Sequence, residues 1–176
     1  WYLLNGLSSL RDKEGRILVD GLYELIEEPN ERELALINRY ANKTADDVTE
    51  IYNLQLPILK AERSEFLKRF YFEPAMNIEG LGTGYQVQVV KTILPAEARA
   101  KMEVRLVPGL EPKQVLELIR AQLNKNGFEK IDLVYTLGEM SYRSDMSAPS
   151  ILNVIDLAKR FYPEGVCVLP TTAGTG

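Results

Sequence analysis

Residues 77–108 read NIEGLGTGYQVQVVKTILPAEARAKMEVRLVP, and the second half of this stretch decides how the rest is read. From Ala98 to Val107 the residues alternate with the period of two that a half-buried strand requires. Ala98, Ala100, Met102, Val104 and Leu106 share one face, while Arg99, Lys101, Glu103 and Arg105 share the other. Pro108-Gly109 ends the strand, since proline has no ladder donor and glycine accepts turn dihedrals. Val115, Leu118, Ile119, Gln122 and Leu123 then recur at helical spacing over 111–124. Pro112 stands near the helix start and Gly127 just past its end, where a left-handed cap would sit. Ile131, Leu133, Tyr135 and Leu137 alternate again, so the spacing predicts strand, helix, strand.

Upstream, residues 1–10 form the end of an amphipathic helix with Leu3, Leu4, Leu7 and Leu10 on one face. No capping residue precedes it, which suggests a chain cut from something longer. Asn30 and Glu33 predict a capped helix over 30–42, and Thr44 with Asp47 a second through Tyr52. The stretch 54–64, interrupted by Pro57, is a connection. Phe66, Phe70, Tyr71, Phe72, Met76 and Ile78 read as a strand over 65–78 broken by Pro74. GLGTG at 80–84 reads as a loop rather than a phosphate cradle, because an extended Tyr85–Val90 follows it and not a helix.

Downstream, residues 138–147 are polar, and Tyr142 and Arg143 there read as loop residues that could border substrate but are assigned no role. Ser147 is the expected cap of a helix with Pro149 in its first turn and Leu152, Ile155, Ala158 and Phe161 inward. GVCVL at 165–169 predicts a short buried strand with Cys167 as packing, running into a Gly-rich end. That strand has no neighbour of its own, so residues 147–176 read as the start of a second domain and a second sign of truncation.

Composition narrows the chemistry. The chain has 176 residues, 45% of them hydrophobic, which suits a soluble globular protein with a real core. A net charge of −4 gives no encouragement to nucleic-acid or anionic-membrane partners. No apolar run approaches the roughly 20 residues of a membrane span. One cysteine excludes an internal disulfide framework and fits the cytoplasm. With no histidine and that single cysteine, a zinc site of nitrogen and sulfur ligands is not to be built from this chain, and neither is an imidazole-activated nucleophile.

The run FEPAMNIEGLGTG, then KTILPAEARAKMEVRLVPG, then a helix and an alternating segment, resembles the lid domain of the zinc metallopeptidase and amidohydrolase family that includes carnosinase, aminoacylase, acetylornithine deacetylase and carboxypeptidase G. LSSLRDKEGRILVDGLYE is similar to the helix end and turn of its dipeptidase branch, and VLPTTAGTG to the return into its catalytic domain. The resemblance implies an α+β fold. Residues 1–146 would be a ferredoxin-like lid (dimerisation) domain lacking its first strand, with a helical insertion near 30–62. Residues 147–176 would begin the C-terminal part of an α/β catalytic domain. It also implies a homodimer, a peptide or N-acyl amino acid substrate, and two zinc ions in the full-length enzyme. The zinc ligands and catalytic Glu would lie outside this chain, which would be inactive by itself.

Four substrate-binding residues follow from the same match. Arg105 falls where the family's substrate-carboxylate Arg lies, Thr92 where an oxyanion-holding Asn or Thr lies, and Gly174 and Thr175 in a loop touching substrate backbone. Read without the resemblance, Arg105 is a solvated cross-strand charge, Thr92 ordinary strand chemistry, and Gly174-Thr175 a loose terminus. The rival functional reading is a stand-alone ferredoxin-like dimerisation or small-molecule-binding module with no hydrolase attached.

Overall fold

The computed structural model describes residues 1–51, 62–86, 88 and 91–172, the side chains of 43, 44, 47 and 49 aside. It is a mixed α/β chain. In order come α1 (Tyr2–Ser8), a single 3-10 turn (Tyr23–Leu25), α2 (Glu31–Ile51), α3 (Arg63–Phe72), β1 (Ala75–Thr83), β2 (Ala98–Arg105), α4 (Pro112–Lys125) and α5 (Pro149–Phe161). The chain divides into two compact units, Trp1–Leu25 with Pro74–Leu106 and Leu110–Met140, and Ile26–Glu73 with Val107–Gly109 and Ser141–Gly176.

In the first unit β1 and β2 form an antiparallel pair running from Ala75 opposite Arg105 to Thr83 opposite Ala98, with a bulge at Glu79. The alternation of β2 holds only in part, with Ala98 exposed and Glu103 half-buried against expectation, and the strand ends at Arg105, two residues short of the expected end. GLGTG is not a loop: Gly80 to Thr83 belong to β1, and only Gly84 turns to positive φ (+63°). Extended backbone satisfies its polar groups across the ladder here, which leaves no concave nest of N–H groups.

Helix α4 matches its expected bounds within a residue, and its end explains Gly127. The Phe128 N–H donates to the Leu123 carbonyl (2.8 Å) and the Gly127 N–H to that of Asn124 (3.1 Å). With Gly127 at φ +83°, this is the paired-bond stop that requires a left-handed residue. Leu10, Ile17, Val19, Leu22, Leu110, Val115 and Leu123 are buried in this unit. Of the α1 face, Leu3 and Leu7 are half-buried while Leu4 is exposed.

The expected strand at 131–137 does not form. Ile131 and Leu133 are half-buried as their spacing requires, but Val134, Tyr135 and Leu137 are exposed. Alternation sets which way side chains face; a strand also needs a neighbour for its backbone groups, and none pairs with it among the described residues.

The second unit carries two corrections. Where two helices were expected over 30–52, α2 is continuous. Leu34, Ile37, Ala41, Ala45 and Val48 keep three- and four-residue spacing across the expected break, and no Gly or Pro interrupts propagation there. Its start is as expected: Asn30 Oδ1 accepts from the Glu33 N–H (3.0 Å) while Glu33 Oε2 accepts from the Asn30 N–H (2.8 Å). Secondly, the aromatic stretch from Glu65 is helix α3, not strand. Leu67, Tyr71 and Phe72 are buried with Ile37 and Ala45, and Phe66 and Phe70 flank that core. Its apolar residues sit four apart, so packing on α2 outweighed aromatic β preference. Pro74 then forces Glu73 into an extended conformation (φ −107°, ψ 146°) and the strand starts after it.

Helix α5 has Pro149 in its first turn as expected, but Ser147 is not its cap. Ser147 donates both its N–H (2.8 Å) and its hydroxyl (2.6 Å) to Asp145 Oδ1, closing a turn one residue early. Leu152, Ile155 and Ala158 are half-buried, whereas Phe161, expected inward, is exposed. Residues 165–169 are not in a strand, and Cys167 is exposed rather than packed. The Tyr40 hydroxyl on α2 donates to the Val166 carbonyl (3.0 Å), giving that segment a side-chain anchor in place of a ladder. Of the expected extended run 85–90, residues 87, 89 and 90 lie outside the described residues, and Tyr85 and Gln86 are in neither helix nor strand. The connection expected over 54–64 lies outside them as far as residue 61, and α3 begins within its last residues, at Arg63.

Candidate functional site

Arg105 closes β2 on the polar face of the hairpin, with its side chain 57% exposed. Two neighbours decide its setting. Directly across the ladder stands Ala75, itself exposed, and its single methyl leaves the guanidinium uncovered. Two residues back along the strand, Glu103 Oε1 accepts from Arg105 Nε at 3.1 Å. The same oxygen lies 3.3 Å from Nδ2 of Asn77, the β1 residue paired with Glu103. The hydrogen bond from Arg105 and then that from Asn77 hold the Glu103 carboxyl below the usual carboxylate range. The face therefore presents a fixed, ionised acid engaging one edge of an arginine that has four further N–H donors.

Thr92 lies in the connection between β1 and β2 and is exposed. The described residues that flank Thr92 stay at the far end of the hairpin. Thr83 donates its hydroxyl to the Glu97 carbonyl (2.9 Å), Pro95 lies against Gly84, and Lys91 Nζ sits 4.9 Å from the Tyr85 ring centre. Arg105 is at the opposite end of an eight-residue strand, about 24 Å along it. One chain therefore does not bring Thr92 and Arg105 together. Gly174 and Thr175 lie outside the described residues, which stop at Thr172.

Arg143, given no role from sequence, is a half-buried fastening in the second unit. Its Nη1 donates to the Glu27 carbonyl (3.2 Å), its Nη2 to Glu27 Oε2 and the Glu28 carbonyl (both 3.4 Å), and its Nε pairs with Glu33 Oε1 (3.4 Å). The Glu33 side chain is only 2% exposed, so this cation matches a charge that would otherwise be costly to bury. Sequence reasoning also passed over Glu103 and Asn77. Their shared bond depends on cross-strand register, which becomes readable only once the bulge at Glu79 is placed.

A hollow of about 310 Å³ opens beside the hairpin, lined by Leu7, Arg11, Met76, Asn77, Ile78 and Met102. Arg11 Nε is committed to the Gly15 carbonyl (3.1 Å), and the hollow mixes polar and apolar surface in similar measure. Among the described residues no three His, Cys, Asp or Glu side chains gather as a metal site. No described helix is long and apolar enough to cross a membrane.

Comparison with known proteins gives a consistent result. Residues 3–130 match the peptidase dimerisation domain. The chain is 26% identical over 124 residues to the Cys-Gly metallodipeptidase DUG1 of Saccharomyces cerevisiae, covering 67% of this chain and 24% of that protein. It is 30% identical over 139 residues to the Beta-Ala-His dipeptidase of Mus musculus, covering 75% and 27% respectively. The chain thus spans about a quarter of the length of these relatives. Among solved structures, the M20 family metallo-carboxypeptidase Sso-CP2 from Sulfolobus solfataricus superposes with a TM-score of 0.79 at 30% identity, over 99% of this chain and 39% of that one. Human carnosine dipeptidase 1 shares the fold, with a TM-score of 0.73 at 21% identity over 91% of this chain and 35% of that one.

Proposed function

We propose, because the chain belongs to the peptidase dimerisation domain family of M20 metallopeptidases, that it supplies the dimer contact and the substrate-carboxylate grip of a metal-dependent dipeptidase or N-acyl amino acid hydrolase. In this reading it is the ferredoxin-like lid portion of a cytoplasmic homodimeric enzyme. The catalytic zinc ions of that enzyme are held by other polypeptide segments.

The observation that carries the reading is Arg105 itself: an arginine at a strand end, opposite an alanine, engaged through Nε and more than half exposed. A planar guanidinium takes a carboxylate through two parallel charge-assisted bonds, which a lysine does not reproduce. Thr92 supplies a hydroxyl donor for the oxyanion that forms as the amide carbonyl is attacked, with Gly174 and Thr175 along the substrate backbone. Since Thr92 and Arg105 stand a strand length apart, a ligand touched by both takes them from two copies of the chain. Dimerisation then completes the site.

The test is kinetic, on the complete enzyme. Arg105→Ala removes a charge-assisted contact of about 1.5–3 kcal/mol, so kcat/KM for a free-carboxylate dipeptide falls roughly 10- to 150-fold. Activity on the corresponding peptide amide stays near its starting value. Equal loss on both substrates, or on neither, rules the assignment out.

A further inference from the structure

The carboxylate reading leaves Glu103 and Asn77 without a task, although both touch the arginine's immediate surroundings. We infer that Glu103, steadied by Asn77, is the positioning residue of Arg105: it holds the guanidinium by Nε and leaves the two terminal nitrogens for a ligand carboxylate. The inference rests on Arg105 being the carboxylate-binding residue and adds the device that prepares it.

The geometry argues for a relay rather than a casual surface pair. Asn77 and Glu103 are ladder partners, while Arg105 faces only Ala75. One oxygen, Glu103 Oε1, serves both Asn77 Nδ2 (3.3 Å) and Arg105 Nε (3.1 Å). The acid is thus tied to the neighbouring strand before it reaches the arginine, and it is the more covered of the two, its side chain 35% exposed against 57%. A free arginine on a strand samples many rotamers, and a ligand that freezes it bears that entropy loss. Fixing the stem beforehand removes part of the loss. The bond falls at Nε, and an end-on bidentate carboxylate needs only Nη1 and Nη2.

Glu103 also has an opposing effect, because its charge lies near where the ligand carboxylate would bind. Orientation and repulsion therefore predict different outcomes for two substitutions. Glu103→Ala removes both the acceptor and the charge. Glu103→Gln keeps an acceptor oxygen for Nε and removes only the charge.

The experiment measures kcat and KM on the complete, metal-loaded enzyme with a dipeptide and its C-terminal amide. Glu103→Ala should raise KM for the free acid about tenfold with kcat within about twofold, and Glu103→Gln should return KM to within about threefold of the parent. In an Arg105→Ala background, Glu103→Ala should add nothing further. Asn77→Ala should raise KM in the same direction by a smaller factor. If Arg105→Ala fails to erase the preference for the acid over the amide, the carboxylate reading falls and this inference with it. If Arg105→Ala does erase it but Glu103→Ala leaves KM unchanged, or raises it equally in the Arg105→Ala background, the positioning role alone is overturned. A spectroscopic arm needs no turnover. The Arg105 Nε–Hε resonance of this chain should be slow to exchange, should become fast in Glu103→Ala and should stay slow in Glu103→Gln; identical exchange in all three also overturns the role.

Discussion

Arg105 does not stand out by pattern, since Arg99 shares its strand and face and the residues alone read both as solvated charges; only the family resemblance singled it out. The residues that prepare it were not legible, since a cross-strand bond between Asn77 and Glu103 depends on register and not on spacing along the chain. The lowered carboxyl of Glu103 has a consequence for pH. A depressed pKa means that its contribution is present above the unfolded value and is lost as pH falls through the folded one. The Arg105–Glu103 contact should therefore survive acidification past the ordinary glutamate range, which a pH series on the Arg105 Nε–Hε resonance would follow. A break well above that range would contradict the expectation. Arg143 presents the opposite case, a half-buried cation whose partner Glu33 is covered. Arg143→Ala leaves that carboxylate without its cation, at a cost of about 3 kcal/mol, to be read as a lower urea midpoint for the melting of α2.

The elements that were read correctly are those where several signals agree. Helix α4 has apolar spacing, a proline at its start and a left-handed glycine beyond its end, and all three are realised. At φ +83° an alanine in place of Gly127 should cost about 1 kcal/mol, measurable by thermal or urea unfolding. The reciprocal bonds of Asn30 and Glu33 were likewise explicit in the sequence, and Asn30→Ala should cost about 1 kcal/mol for the lost cap. Misreadings arose where one signal stood by itself. Aromatic residues at 66–72 suggested a strand, but their four-residue spacing served a helix packed on α2. Alternation at 131–137 suggested another strand, but facing preference without a hydrogen-bonding neighbour gives only an extended segment. Gly6 marks a contact that no pattern announces: a Cβ there would collide with the Ile131 side chain. Gly6→Ala should loosen α1 from that segment and lower stability, even though alanine is the better helix former.

The chain passes between its two compact units several times, and no shift in composition marks those crossings. What the sequence did disclose about the whole was its family and, through it, the expectation of a symmetric pair. The strand-length separation of Thr92 and Arg105 makes that pairing testable. In the complete enzyme, Thr92→Val and Arg105→Ala should each reduce turnover. A mixture of the two variants, allowed to exchange subunits, should recover about a quarter of parental activity, because half the dimers are hybrids with one intact site of two. No recovery would mean that both residues serve the ligand from one copy. The exposed thiol of Cys167 provides a way to observe association directly. It is the chain's only cysteine, so a maleimide nitroxide attaches once per copy of this chain. Two copies that associate then carry a single spin pair, and pulsed dipolar spectroscopy reads their spacing without any crystal.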